Sequence, residues 1–374
     1  MRTRWIGTVL VVAAAVGIAF VLNAPRRGDE HAPKPQRATT SEPKGREQPS
    51  TPARPEQTHP VSLPAFAQRE FNGRDLAVGR VLAQTAAFTQ YFITYKSGNL
   101  TVSGTMYVPK GAGPFPVLIA NHGYIDPDVY TNGRGLRREE AYLASRGYVV
   151  IHPDYRNHAQ SDKDPNTDLM LRLGYAEDVV NAIRAVRASA LPSLDTERIG
   201  LMGHSMGGGI AQTIMVTQPD LVKAVALYAP VSADVRDNFQ RWITRRPELA
   251  AKIAETYGSP EANPEFWENI SPRTFFGNLR IPVIIHHGTA DASVPIAWSE
   301  RTAAALEQME KSVVFHRYPG ESHEFGPQWS LFMKRTKNFF DQHLKTGESA
   351  VQRRTRRVRS CRPRASVVRS ECTS

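Results

Sequence analysis

A chain of 374 residues with a formal net charge of +11 has room for more than one domain, and its basic excess raises the question of nucleic-acid binding. The excess lies on the two ends of the chain, eight arginines standing against two acidic residues between 346 and 374, while the middle is close to neutral; this excludes a basic nucleic-acid-reading domain. The two cysteines, Cys361 and Cys372, both fall in that basic tail, so the folded part has neither a disulfide nor a thiolate metal ligand.

In chain order, residues 5–22 form an uncharged stretch of 18 residues, with Arg2 and Arg4 before it and Arg26 and Arg27 after it. That length can cross a hydrocarbon core as a helix, and Leu22-Asn23-Ala24 makes a poor small-x-small cleavage site. Residues 1–24 are therefore expected to be a membrane signal anchor in preference to a cleaved signal peptide, placing the rest of the chain outside the cytoplasm, anchored or secreted. Residues 25–64 hold nine of the 27 prolines and no hydrophobic periodicity. Such a segment cannot bury enough apolar surface to offset its ordering entropy and reads as a disordered linker. Residues 346–374 read as a solvated, disordered basic tail.

Between 65 and 345 short apolar runs alternate with longer amphipathic stretches, the pattern of a mostly parallel sheet flanked by helices. Residues 91–109 alternate apolar and polar around Ser97-Gly98-Asn99, a hairpin signal. Strands are predicted at 116–120, 148–152, 198–203, 223–229, 281–287 and 313–318. Helices are predicted at 138–146, 175–187, 206–218, 297–309 and 328–344. Residues 232–279 break the rhythm: they carry Arg241, Trp242, Arg245, Arg246 and Trp267 in helical stretches and no strand. An insertion between two late strands lies above the carboxyl edge of an open α/β sheet, where ligands bind, and this one is expected to form a small helical cap.

The run from Ile199 to Gly209 breaks into Gly203-His204-Ser205-Met206-Gly207, a Gly-x-Ser-x-Gly pentad between a strand and a helix. A serine on so tight a turn needs side-chain-free neighbours, and its hydroxyl then projects from the sheet as a candidate nucleophile. A hydroxyl attacks only when a base takes its proton and a carboxylate orients the base. Asp291 follows the strand at 281–287 and His323 lies in the loop after the strand at 313–318, so Ser205, Asp291 and His323 occur in the order this elbow requires. Asp234, after the strand at 223–229, is the alternative acid. His152, His286, His287 and His316 lie in or at the ends of strands, where core histidines are common. His204 is expected to point away from Ser205, and Glu321 and Ser322 to shape the loop of the base. The oxyanion of a tetrahedral intermediate needs backbone donors. Met206 N–H, next to the nucleophile, and Tyr124 N–H, in Asn121-His122-Gly123-Tyr124 after a buried strand, are expected to supply them. No metal or cofactor is expected, since His323-Glu324 lacks the second histidine of a His-Glu-x-x-His site.

These motifs, together with Asp154-Tyr155-Arg156, His287-Gly288 and Val294-Pro295, make residues 90–344 resemble the α/β-hydrolase superfamily. The branch they most resemble is the catalytic domain of the prolyl oligopeptidase family and its dienelactone-hydrolase-like relatives. The resemblance implies Ser205 as nucleophile, Asp291 as acid, His323 as base, and Tyr124 and Met206 as oxyanion donors. Two departures bear on substrate. The large peptidases of that family carry a β-propeller before the hydrolase domain, and residues 65–90 are too few for one. Dienelactone hydrolases use a cysteine where this chain has Ser205. The expected function is a carboxylesterase-like serine hydrolase acting on small to medium acyl esters. A serine peptidase acting on short peptides is the first alternative and a non-catalytic binding protein on a hydrolase scaffold the second.

Overall fold

The structure is a computed structural model and describes residues 59–345. The anchor expected at 1–24, nearly all of the linker and the basic tail lie outside the described residues. Among the described residues no helix is long and apolar enough to cross a membrane.

One nine-stranded sheet runs through the domain in the order β1-β2-β3-β5-β4-β6-β7-β8-β9. The first strands, β1 (Arg74–Gln84), β2 (Phe88–Ser97) and β3 (Leu100–Pro109), form an antiparallel meander. The β2–β3 turn is Gly98-Asn99, with Ser97 opposite Leu100 and Gly98 at φ +61°, the left-handed conformation that tight hairpin turns demand. The antiparallel β3–β5 pairing joins the meander to the rest. From there on β5 (Val149–Pro153), β4 (Phe115–Asn121), β6 (Leu194–His204), β7 (Val225–Tyr228), β8 (Val283–Gly288) and β9 (Val313–Tyr318) are parallel.

The helices are α1 (Leu63–Ala67), α2 (Arg137–Ala144), α3 (Leu173–Ala188), α4 (Met206–Thr217), α5 (Val235–Asn238), α6 (Pro247–Tyr257), α7 (Pro264–Asn269), α8 (Ile296–Gln308) and α9 (Trp329–Phe340). The central strands are apolar on both faces because both faces are covered. Alternate residues sort into two cores. Val117, Ile119, Leu201, Val225 and Ile285 meet Val179 and Ile183 of α3, Ile214 of α4 and Leu306 of α8. Leu118, Val150, Met202, Ala226 and Ile284 meet Leu143 of α2 and Phe332 and Phe340 of α9.

One expectation needs correction, and one strand lies where none was predicted. The linker was drawn to residue 64, yet Val61 and Leu63 are buried in the first core and Ser62 caps α1, its Oγ accepting from Ala65 N–H at 3.2 Å. A staple of this kind ties the entering chain to the domain. β1 had no signal in the alternation pattern. It is an edge strand, largely solvent-exposed and broken by register shifts, so burial imposes no period-two pattern on it.

β4 has β5 on one side and β6 on the other, so its successive crossovers run in opposite directions. This reversal opens a crevice at the carboxyl ends of β4 and β6, the position where ligands bind in open α/β sheets. The loops that follow β4, β6, β8 and β9 carry Tyr124, Ser205, Asp291 and His323 respectively.

Candidate active site

Ser205 stands between β6 and α4 with φ 55° and ψ −117°, a conformation L-residues rarely adopt. It persists because the surroundings leave no alternative. The Ser205 N–H donates to the Tyr228 carbonyl at 3.0 Å, and the Ser205 carbonyl accepts from Gly208 and Val231 N–H. A β-carbon at Gly203 would stand 2.2 Å from the Gly207 carbonyl oxygen, and one at Gly207 would stand 2.1 Å from the Asn121 carbonyl oxygen. Both glycines are required by close backbone approach rather than by a left-handed φ.

Asp291 lies three residues beyond β8 with its side chain buried. Its Oδ1 accepts from the N–H groups of Ser293 and Val294, each at 2.8 Å. Its Oδ2 accepts from His323 Nδ1 at 2.7 Å and stands 3.1 Å from His287 Nε2. Burial alone would raise this carboxyl's pKa, but the hydrogen bonds from His287, His323 and Val294 N–H hold it well below the usual carboxylate range. The loops of Asp291 and His323 are laced together: Thr289 N–H donates to Tyr318 O and Ala290 N–H to Glu321 O. Glu321 also accepts from the N–H groups of Gly326 and Gln328, fixing the path from His323 into α9.

Ser205, Met206, Tyr124 and His323 line one cavity of about 510 Å³. Among the described residues, no backbone acceptor takes the N–H of Tyr124 or of Met206. The loop bearing Tyr124 rests on a buried polar cluster. Asp154 accepts from Ser103 Oγ, Tyr130 OH, Asn132 Nδ2 and Gly133 N–H at 2.6–2.9 Å. His122 stacks 4.3 Å from Tyr155, whose hydroxyl donates to the His122 carbonyl at 3.2 Å.

Asp234, the alternative acid, is bound by Arg236 and Arg273, each at 2.8 Å, and has no histidine partner among the described residues. His204 is closer to the site than expected. Its ring lies 4.6 Å from that of His323 and 4.3 Å from Tyr228, and its Nε2 donates to the His323 carbonyl at 3.2 Å. The expectation that it points away from Ser205 overlooked that the same direction leads under the imidazole of the base. His287, read as a core histidine, is buried and also touches the acid; its position four residues before Asp291 was the available signal. Its Nδ1 pairs with Ser299 Oγ at 2.7 Å and its Nε2 with the Val294 carbonyl at 3.0 Å.

Burial, followed by the neighbouring His323, pushes the His204 pKa down to about 3, and burial holds His122 and His286 well below the ordinary imidazole value. His152 is shifted the opposite way: burial opposes its charge, but Glu140 raises its pKa. A histidine that is neutral when folded and free to protonate when unfolded contributes stability that is complete above about pH 6.5 and is lost as pH falls toward its folded pKa. We expect His204 alone to forfeit about 2 kcal/mol between pH 7.5 and 5. The urea midpoint should fall measurably over that interval; an unchanged or higher midpoint at pH 5 contradicts it.

Among the described residues no group of histidines and acidic residues could hold a metal ion. A mostly parallel sheet with a strained serine after β6, and an acid and a histidine after β8 and β9, defines an α/β-hydrolase. The chain belongs to the prolyl oligopeptidase family, whose pattern matches residues 135–347. It is 26% identical over 254 residues to an uncharacterized peptidase of Bacillus subtilis, YuxL, covering 63% of this chain and 36% of that one. Curated mycobacterial relatives of uncharacterized function are likewise covered over only 37% of their length, so the chain spans little more than a third of these relatives. Among solved structures, the acylaminoacyl peptidase of Pyrococcus horikoshii superposes with TM-score 0.56 at 23% identity, covering 71% of this chain and 44% of that chain. Acetyl xylan esterase 1 of Thermoanaerobacterium superposes with TM-score 0.53 at 19% identity, covering 74% of this chain and 91% of the esterase. At these identities the two structures establish the common fold.

Proposed function

We propose that the protein is a serine hydrolase that cleaves esters of small to medium acyl groups through an acyl-enzyme on Ser205. The observation that carries this reading is the 2.7 Å hydrogen bond from His323 Nδ1 to Asp291, at a cavity shared with the strained Ser205. With Nδ1–H committed to Asp291, Nε2 is the nitrogen left to take the Ser205 proton. The alkoxide attacks the ester carbonyl; the developing oxyanion is met by Met206 and Tyr124 N–H. His323 returns the proton to the leaving alcohol, then activates a water that resolves the acyl-enzyme. Residues 232–279 serve as the cap: Phe239, Trp242 and Trp267 close the cavity over the acyl group. The superposition on 91% of a compact esterase supports an ester substrate.

Membership of the prolyl oligopeptidase family, and the peptidase name of the Bacillus relative, favour a second reading, a serine peptidase acting on short peptides with the same residues. We further read residues 5–22, with arginines on both sides, as the element that exports or anchors the domain.

One experiment addresses all three points. A membrane-impermeant fluorophosphonate applied to intact cells should label the protein at Ser205, and the purified chain should turn over p-nitrophenyl esters at least about 100-fold faster than aminoacyl p-nitroanilides. Absence of labelling in lysed cells sinks the hydrolase. Labelling only after lysis sinks the extracytoplasmic placement, and comparable rates on both substrates select the peptidase.

A further inference from the structure

The cavity beside Ser205 carries a charge that ester cleavage does not use. Asp168 lies in its wall and is held by two cations, Arg172 Nε at 2.9 Å and Arg246 Nη1 at 2.8 Å, both of which also line the cavity. Two guanidinium groups against one carboxylate leave the wall positive.

The placement of Arg172 is built. Leu171 and Arg172 are successive non-glycine residues with φ +51° and +62°, both in the left-handed region, at the point where the chain enters α3. Such backbone is retained where the surroundings over-determine it. It sends the Arg172 guanidinium across the mouth of the cavity, 4.8 Å from the centre of the Tyr124 ring and with Nη1 3.4 Å from Met206 Sδ. The cation therefore sits beside both residues assigned to the oxyanion. Most of the rest of the lining is apolar, with Leu173, Ile210, Phe239 and Trp267 among it, so a charge on the ligand meets this one beside low-dielectric walls.

We propose that the cavity selects acyl groups that end in an anionic group, such as the half-esters of dicarboxylic acids, and rejects those that end in an ammonium, with Arg172 and Arg246 determining that specificity. The proposal rests on the serine hydrolase reading of the same site and narrows its substrates: the free amino terminus of a peptide is repelled where a carboxylate is attracted.

The test is equilibrium binding to the full-length Ser205→Ala chain by titration calorimetry. The ligands are three six-carbon anilides differing only at the far end: adipic acid monoanilide, hexananilide and 6-aminohexananilide. The carboxylate compound should bind roughly tenfold more tightly than the ammonium compound at low ionic strength, and the gap should shrink as salt is added. Arg246→Gln in the same background, at a half-exposed position where folding is not at stake, should narrow the gap about threefold. Failure of the carboxylate compound to bind, equal or tighter binding of the ammonium compound, or a preference that survives Arg172→Gln combined with Arg246→Gln overturns the proposal. Because binding is read in a chain without the nucleophile, it decides the charge preference separately from labelling and turnover of the native chain, which decide the hydrolase reading.

Discussion

Ser205→Ala should fold as the native chain does and lose turnover of a p-nitrophenyl ester by on the order of 10⁵-fold or more. Alanine removes only the hydroxyl. The elbow is built from backbone bonds, with Ser205 N–H held by Tyr228 O and Ser205 O by Gly208 and Val231, and none of these needs the side-chain oxygen. What survives is the cavity lined by Tyr124 and Met206, whose N–H groups are the proposed oxyanion donors. Steady-state rates and circular dichroism on the same sample separate chemistry from folding. A folded variant that keeps more than about one-hundredth of native turnover would mean that another group attacks.

Asp291→Asn is the second large effect, on the order of 10⁴-fold in kcat, and it acts through a tautomer rather than through charge alone. The N–H groups of Ser293 and Val294 both donate to Oδ1, so the amide oxygen of an asparagine must take that side. Its NH₂ then faces His323 Nδ1 at the position Oδ2 now holds, donor against donor. The imidazole relieves the conflict by carrying its proton on Nε2, where it can no longer accept from Ser205. His287 Nε2, which donates to the Val294 carbonyl and also approaches Oδ2, meets the same NH₂, so the asparagine cannot turn over cheaply. Stopped-flow acylation should show the loss in the first turnover; a decrease below tenfold would mean that His323 is oriented by something other than Asp291.

Much of the scaffold is legible in the residues because parallel strands buried on both faces read as near-continuous apolar runs, and β4, β5, β7 and β8 are of that kind. The elbow is legible because close packing admits only glycine at 203 and 207. β1 was invisible because an exposed, bulged edge places no demand on side-chain alternation. The contacts of His204 and His287 were missed for another reason. Each depends on how loops from separate strands fold over one another; nothing local in Gly-His-Ser marks His204 as bracing a neighbour, and for His287 the one signal is its position four residues before Asp291. Arg172 was equally hidden, since its reach toward Tyr124 and Met206 depends on two left-handed residues that no turn-favouring sequence announces.

β6, which presents Ser205, has a strand on either side, whereas β9, which leads to His323, closes the sheet and has β8 alone as its neighbour. The outermost strand of a sheet is the first to part on warming, when its ladder opens without the rest. Because the loop of β9 is fastened to that of β8 through Ala290 and Glu321, such fraying loosens Asp291 and His323 together while the turn at Ser205 keeps its shape. On the proposed function, heat should therefore abolish ester turnover in a reversible step below the melting temperature, leaving the central scaffold intact and Ser205 in place but His323 displaced from it.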